Sequence, residues 1–288
     1  MKIKFIINPI SGTGKQKILE KYIRNYFTNI DVNYTKKKGD ARKLCLDAIN
    51  KNFDAIIAVG GDGTVNECIE PLRNSNTALG VIPCGSGNGF AYHIGMKKNV
   101  RDSLKQLKNS QIVNIDTCTV NDLPFINISG VGFDAHVAKI FSKFKKRGFI
   151  NYIKIILKEL NYKSKEYLIK YNGKQRKVDA YMISFANTSQ FGNNLKISPK
   201  SNIEDGKFEC IIINKFPKWI IPLFIMQMII GKLFLNKYVE IISCEEIEII
   251  SKKTLINLDG ESKKITNPIK VKIFKKSLKI LKPNKYAK

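Results

Sequence analysis

The sequence points to two domains of different class: an α/β layer built on a doubly wound parallel sheet, then a mostly antiparallel β-sandwich. Over the first third, short apolar runs alternate with stretches of helical spacing, and strands that alternate with helices pair in parallel through right-handed crossovers. From about Ile112 the period changes to two, as in IVNIDTCTV, the spacing of a strand with one buried face. Further on, EYLIKYNGKQRKVDAY (166–181) sets Asn172-Gly173 between two strand-like halves, the strongest short hairpin signal.

In chain order, residues 3–8 (IKFIIN) read as a buried strand and 15–27 as a helix with Ile18, Leu19, Tyr22, Ile23 and Tyr26 on one face. A weaker strand at 31–35 leads to a helix at 40–51. A buried strand at 54–59 (DAIIAV), a helix at 64–73 and a strand at 78–82 follow. Beyond Ile112, Asn121-Asp122 separates IVNIDTCTV from the run LPFINIS, and further strands fit 207–213, 246–250, 254–258 and 269–274. Apolar segments at 149–160 and 219–235 interrupt them. The stretch KFKKRGFINYIKIILKEL (143–160) joins a basic cluster to an amphipathic pattern and reads equally as membrane or substrate contact and as core, whereas the second segment is expected to pack as core rather than to meet a membrane. The domains are placed at 1–116 and 117–288, with room for the last residues to return to the first.

A chain of 288 residues, 43% apolar and 26% charged, buries a sizeable core, which excludes a disordered chain, a fibre and a disulfide-stapled mini-protein. Its net charge of +26 suits a polyanionic partner or an anionic membrane. Only six of the 50 basic residues are Arg, however, and neither an Arg-rich face nor aromatic platforms are evident, so nucleic acid is not the expected partner. Much of the charge reads as a Lys-rich compositional bias. The six cysteines form no C-x-x-C pair, and a reducing cytoplasm is their simplest home. The longest apolar run, Trp219 to Ile230, contains Pro222 and falls short of the ~20 residues of a membrane-spanning helix.

Four segments carry chemistry. Asn8-Pro9-Ile10-Ser11-Gly12-Thr13-Gly14-Lys15 joins the first strand to the first helix, where small residues let backbone N–H groups face an anion. It is not a Walker A loop, because Pro9 occupies the first Gly position and Gln16 follows the Lys. Gly60-Gly61-Asp62-Gly63-Thr64-Val65-Asn66-Glu67 follows the strand ending at Val59. Its glycines admit phosphate, and Asp62, expected in an exposed turn, can hold a metal or the loop. Pro83-Cys84-Gly85-Ser86-Gly87-Asn88-Gly89-Phe90-Ala91 again stands between strand and helix, with Ser86 and Asn88 able to bond a nucleotide. Asn257-Leu258-Asp259-Gly260-Glu261 brings two carboxylates to a turn, candidates for a base or a metal group.

In this order and at roughly these spacings, NPISGTGK, GGDGTVNE, PCGSGNGFA and LDGE resemble the diacylglycerol kinase catalytic family, lipid kinases that also act on sphingosine and ceramide. The likeness runs from Lys4 to about Phe274. GGDGT alone is shared with NAD kinases; its combination with PCGSGNGFA and a late DGE is far more specific.

The resemblance implies an N-terminal nucleotide domain, a C-terminal β-sandwich and an active cleft between them. It implies transfer of the γ-phosphoryl of ATP, with Mg²⁺, to the hydroxyl of a membrane lipid, either diacylglycerol or a sphingoid or ceramide-type lipid. ATP contacts fall on Asn8, Ser11, Gly12, Thr35, Gly61, Asp62, Gly63, Thr64, Val65, Asn66, Glu67 and Ser86. Glu261 corresponds to the general base, and Asp62 helps place Mg²⁺. Asp205 corresponds to a structural Mg²⁺ site with backbone oxygens of Asn202 and Lys207, although an Asp-Gly turn explains the same residues without a metal. A cytoplasmic enzyme peripheral to an anionic inner membrane face follows, and a homodimer is admitted. Two alternatives stand beside it: an NAD kinase-like phosphotransferase, and an inactive membrane-associated nucleotide-binding module, against which the presence of Asp62 and Glu261 argues.

Overall fold

The computed structural model describes residues 1–12, 19–142, 144, 149–159, 161–252 and 255–284. The chain divides into two compact units, Met1–Ile115 together with the chain from Lys276 onward, and Asp116–Lys275.

The first unit runs β1 (Ile3–Ile7), α1 (Leu19–Tyr26), β2 (Ile30–Tyr34), α2 (Asp40–Asn50), β3 (Ala55–Gly60), α3 (Asp62–Leu72), β4 (Ala78–Pro83), α4 (Gly89–His93) and α5 (Val100–Lys108). Its strands lie in the order β2-β1-β3-β4, all parallel, with Ile7 opposite Val59 and Val59 opposite Ile82. Every residue of β1, β3 and β4 is buried, as expected of central parallel strands covered on both faces. Lys4 is the polar exception in β1, its ammonium held by Asp47 at 2.8 Å and Asp31 at 3.0 Å. The parallel order places the ends of all four strands, and hence three of the four sequence segments, along one edge of the sheet.

The second unit is entered through β5 (Ser110–Val120), followed by β6 (Leu123–Phe125), β7 (Ile128–Gly132), α6 (Phe133–Phe141), α7 (Phe149–Lys158), β8 (Lys165–Tyr171), β9 (Lys174–Ala186), β10 (Phe208–Asn214), α8 (Ile221–Ile230), β11 (Val239–Cys244), β12 (Glu246–Ile250), β13 (Leu255–Leu258), β14 (Glu261–Lys264) and β15 (Ile269–Pro283). Antiparallel pairing runs β14-β13-β7-β9-β8-β12-β15, and β10 and β11 continue from β9. Asn172-Gly173 turns β8 into β9, both residues at positive φ. One core, with Phe125, Phe185, Phe208 and Ile249, fills the sandwich; a second, with Phe133, Val137, Ile155, Ile211 and Phe224, lies under the helices.

The departures from the sequence reading have local causes. LPFINIS is two strands, β6 and β7, because the chain breaks pairing at Ile126-Asn127. Helix α6 adds to the expected elements, and its N-cap, Gly132, has no capping side chain to mark it in the sequence. Strand β15 extends nine residues beyond the expected 274, and its last part pairs in parallel with β4, Ile280 opposite Leu79. Residues 15–18 of the first expected helix and most of the basic cluster at 143–148 lie outside the described residues.

Candidate active site

Three loops from the ends of β1, β3 and β4 meet backbone to backbone. A methyl group added at Gly12 would collide with the Cys84 carbonyl oxygen, and one at Gly85 with the Gly61 Cα. Each loop therefore needs glycine for the next to approach, which explains the small-residue density better than a turn does. Asn8 ties the first loop to the second: its Oδ1 accepts from Ile10 N–H at 3.2 Å and its Nδ2 donates to Thr64 Oγ1 at 3.1 Å. Asn88, buried and left-handed at φ 57, closes the third loop on itself, accepting from Gly85 N–H and donating to the Gly85 carbonyl, both at 2.8 Å. This corrects the expectation that the Asn88 side chain faces a nucleotide. Burial pushes the Cys84 thiol up to about 11, so it is no thiolate nucleophile at neutral pH.

The predicted contact residues separate into two sets. Ser11, Asp62 and Asn66 are half-buried, whereas Gly12, Gly63 and Ser86 are exposed; these are accessible to a ligand along the strand-end edge. Thr35 is buried at the end of β2 and its N–H donates to the Ile7 carbonyl at 2.9 Å. Thr64 and Val65 are buried. Glu67 reaches across to α2, its carboxylate accepting from Gly39 N–H at 2.9 Å and Ala41 N–H at 3.2 Å. Gly39 is the N-cap of α2 and has no side chain of its own to satisfy those donors. Asp40 does the same for the preceding loop, accepting from Lys36 and Lys37 N–H at 2.8 and 2.9 Å. The side chains of Thr64, Val65 and Glu67 thus hold the scaffold. Asp62 is not in a loose turn as expected: it is the first residue of α3, whose N-cap, Gly61, has no side chain of its own to cap the helix. Lys15 lies outside the described residues.

In the second unit, Asp259-Gly260 forms a two-residue hairpin between β13 and β14, with Leu258 opposite Glu261 and φ of 47° and 90°. Two positive φ values mark the primed turn that Asp-Gly favours. The Asp259 carboxylate is buried, Oδ1 accepting from Asn127 N–H at 2.9 Å and Ile128 N–H at 3.0 Å, Oδ2 from Ile126 N–H at 3.0 Å. Those bonds splice the hairpin to the break between β6 and β7 and commit the carboxylate to three backbone donors. Asn257 braces the turn from below: its Oδ1 accepts from Gly260 N–H at 2.9 Å and its Nδ2 donates to Asp134 Oδ1 at 2.9 Å. Asp134 is buried in the first turn of α6, and its Oδ2 has no hydrogen-bond partner among the described residues. A Cβ at Gly130 would lie 2.7 Å from that oxygen, so the glycine makes its room. Burial raises the Asp134 carboxyl to about 6, with the Asn257 bond drawing it partly back. Glu261, half-buried at the start of β14, is the carboxylate this frame presents.

The sequence reading does not include Asp134 or the bracing by Glu67 and Asp40: Gly132 offers no capping side chain to mark α6, and the partners of all three carboxylates are set by the fold.

The loop at 202–207 closes on itself, Asn202 Oδ1 accepting from Glu204 N–H and Asp205 Oδ1 from Lys207 N–H, both at 3.1 Å. Asp116 Oδ2 also takes Gly206 N–H at 2.7 Å. Among the described residues no three His, Cys, Asp or Glu side chains cluster to cage a metal.

Glycine loops at the parallel strand ends of the first unit, and an acidic hairpin in the sandwich of the second, are the features of a phosphotransferase. Residues 2–120 match the family model of the diacylglycerol kinase catalytic domain, and residues 127–282 that of the YegS C-terminal NAD kinase beta sandwich-like domain. The chain is 28% identical over 275 residues to the diacylglycerol kinase of Bacillus subtilis, covering 90% of this chain and 89% of that one. It is 28% identical over 251 residues to a "Probable lipid kinase YegS-like" of Chromohalobacter salexigens, covering 83% and 79%. A crystal structure of a diacylglycerol kinase from Bacillus anthracis shares the fold, with a TM-score of 0.77 at 20% identity over 100% of this chain and 98% of that one. The chain belongs to the diacylglycerol kinase catalytic family and is a lipid kinase, a transferase.

Proposed function

We propose that the protein transfers the γ-phosphoryl of ATP to the hydroxyl of a membrane lipid, working as a cytoplasmic enzyme at the inner membrane face. The observation that carries the ATP reading is the mutual packing of three glycine loops around the start of α3, where N–H groups and the helix dipole favour phosphate. Such transfer depends on positioning and charge stabilisation more than on covalent chemistry by the protein. Asn8, Thr64 and Asn88 fix the loops, so that Ser11, Gly12, Gly61, Gly63 and Ser86 receive the nucleotide without reorganisation. Glu261, held by the Asp259 and Asn257 bonds, accepts the proton of the lipid hydroxyl as its oxygen attacks the γ-phosphorus and ADP leaves.

The donors fit Mg²⁺ in its usual phosphate-bound manner, one or two carboxylates with phosphate oxygens: Asp62 is the carboxylate at the loops, and the ion supplies neutralisation of the phosphate charge. A structural Mg²⁺ at Asp205, with carbonyls of Asn202 and Lys207, rests on the family resemblance alone, since the loop is already closed by its own bonds.

The test is a radiolabelled ATP assay against diacylglycerol, sphingosine, ceramide and undecaprenol in mixed micelles, run beside Asp62→Ala. Incorporation into one lipid, reduced at least tenfold in the variant, a barrier increase of about 1.4 kcal/mol, is expected. Phosphorylation of NAD in place of every lipid would assign the NAD kinase reading. Nucleotide binding with no transfer to any acceptor would assign the inactive module.

A further inference from the structure

The segment from Lys215 to Lys237 does not pack as its composition predicts. Helix α8 carries a single polar side chain, Gln227, in ten residues, and a helix apolar all round belongs in a core. Yet only Ile221 and Phe224 of its side chains are buried, Phe224 in the core with Ile220 and Leu233. Leu223, Met226, Ile229 and Ile230 face outward, and Trp219, Phe234 and Leu235 flank them in the short 3-10 turns at either end, Trp219 being 79% exposed. These seven are nearly half of the sixteen exposed large apolar side chains among the described residues. Singly they would mean nothing; gathered within seventeen residues they mark a contact surface.

The charges around the patch say what covers it. No Asp or Glu occurs between Glu209 and Glu240, whereas Lys215, Lys218, Lys232 and Lys237 all fall in that interval and all are exposed. Lys200 adds its ammonium 5.0 Å from the Phe234 ring. An apolar face with a basic border and a Trp at its rim is the make-up of a helix lying in the plane of an anionic bilayer. A symmetric contact with a second copy would instead set one lysine border against the same border, with no acidic residue in the segment to offset it. Among the described residues no helix is long and apolar enough to cross a membrane, so seating in the interface is the geometry left to α8.

We propose that the outward face of α8, with Trp219, Phe234 and Leu235, is the membrane-docking surface, inserting its apolar side chains among anionic lipids while the bordering lysines engage the headgroups. This deepens the lipid-kinase reading, on which the choice of a bilayer as partner rests.

Trp219 is the sole tryptophan, so its fluorescence reports on this surface alone. With vesicles of phosphatidylglycerol and phosphatidylcholine, its emission should shift to the blue and be quenched by brominated acyl chains. Pure phosphatidylcholine should give a weaker response, and added salt should weaken binding. A variant with Met226→Gln, Ile229→Gln and Ile230→Gln alters exposed positions only. It should bind vesicles at least about tenfold more weakly and lose activity on vesicle substrate to match, while phosphorylating a short-chain, monomeric diacylglycerol as fast as the parent. Lys218→Glu with Lys232→Glu should remove the preference for anionic vesicles. No Trp219 response in a protein that does phosphorylate the monomeric lipid would overturn the docking surface and leave the kinase reading standing. A Trp219 response without phosphorylation of any lipid would do the reverse. A blue shift that rises with protein concentration in the absence of vesicles, abolished by the triple variant, would assign the face to a second copy and refute membrane docking.

Discussion

Replacing Asp259 by Asn separates a structural carboxylate from a metal-binding one. Asn keeps the volume and tolerates the left-handed backbone, φ 47°, that the turn requires, so neither packing nor strain changes. What changes is the match to three backbone donors: Ile126, Asn127 and Ile128 all point their N–H groups at this carboxylate, at 2.9 to 3.0 Å. With its oxygen kept on Asn127 and Ile128, the amide must turn its NH₂ toward Ile126 N–H, donor against donor. One charge-assisted bond is lost, about 1.5–3 kcal/mol, and a buried donor is left unpaired, about 1–3 kcal/mol more. The two surviving bonds also lose their ionic partner. Together these come to about 3–5 kcal/mol of stability. In urea unfolding this is a shift in midpoint of about 1–3 M for a slope near 2 kcal/mol/M, and hydrogen exchange at Asn127 and Ile128 should accelerate in step. An unchanged midpoint and unchanged exchange, with activity lost and then restored by high Mg²⁺ or by Mn²⁺, would refute the structural role and make Asp259 a ligand.

Other expectations follow from the same frame. Glu261→Gln is nearly isosteric and should leave ATP affinity, measured by calorimetry, unchanged while lowering turnover by about 10²–10⁴; a variant within a few-fold of the parent would remove Glu261 as the base. Asp134 has its carboxyl raised from the ordinary 3.8 to about 6, so between those values the folded state holds a proton that the unfolded chain has released. Stability at this site therefore falls as pH rises from about 4 to 6, by about 3 kcal/mol in all, and is flat above that. Asp134→Asn, which still accepts from Asn257, should lack that slope; parallel stability curves for the two proteins from pH 4 to 7 would contradict it.

What was legible in the sequence is what is decided locally. The Asn172-Gly173 hairpin was readable because both residues take positive φ, 48° and 71°, and few other residues do so cheaply. The three glycine loops were readable because each sits between an apolar run and a helix. Which of their side chains face outward was not, because that depends on partners distant in sequence. Glu67 looks like part of the phosphate loop until α2 brings Gly39 and Ala41 to it from 28 and 26 residues away. Asp259 and Glu261 are indistinguishable as carboxylates flanking a glycine; the strand break at Ile126, 133 residues away, claims one and leaves the other at the start of β14. Likewise the apolar run at 219–235 states how much hydrophobic surface exists, and only the tertiary contacts show that about half of it faces outward.

The return of β15 to the first sheet has a consequence for synthesis. Ile280 lies beside Leu79, Asn74 N–H donates to the Ser277 carbonyl at 2.7 Å, and Leu278, Ile280 and Leu281 are buried. Between Ile115 and these residues lie the 160 residues of the second unit, 116–275. A ribosome adding roughly 5–20 residues per second needs about 8–32 s to supply them. Throughout that interval β4, a strand whose every residue ends up buried, lacks its outer neighbour, and an unpaired apolar strand edge is a template for misassociation. The first unit to leave the ribosome is thus the last to be completed, and nascent chains halted before residue 276 should stay bound to chaperones, whereas completed chains are released.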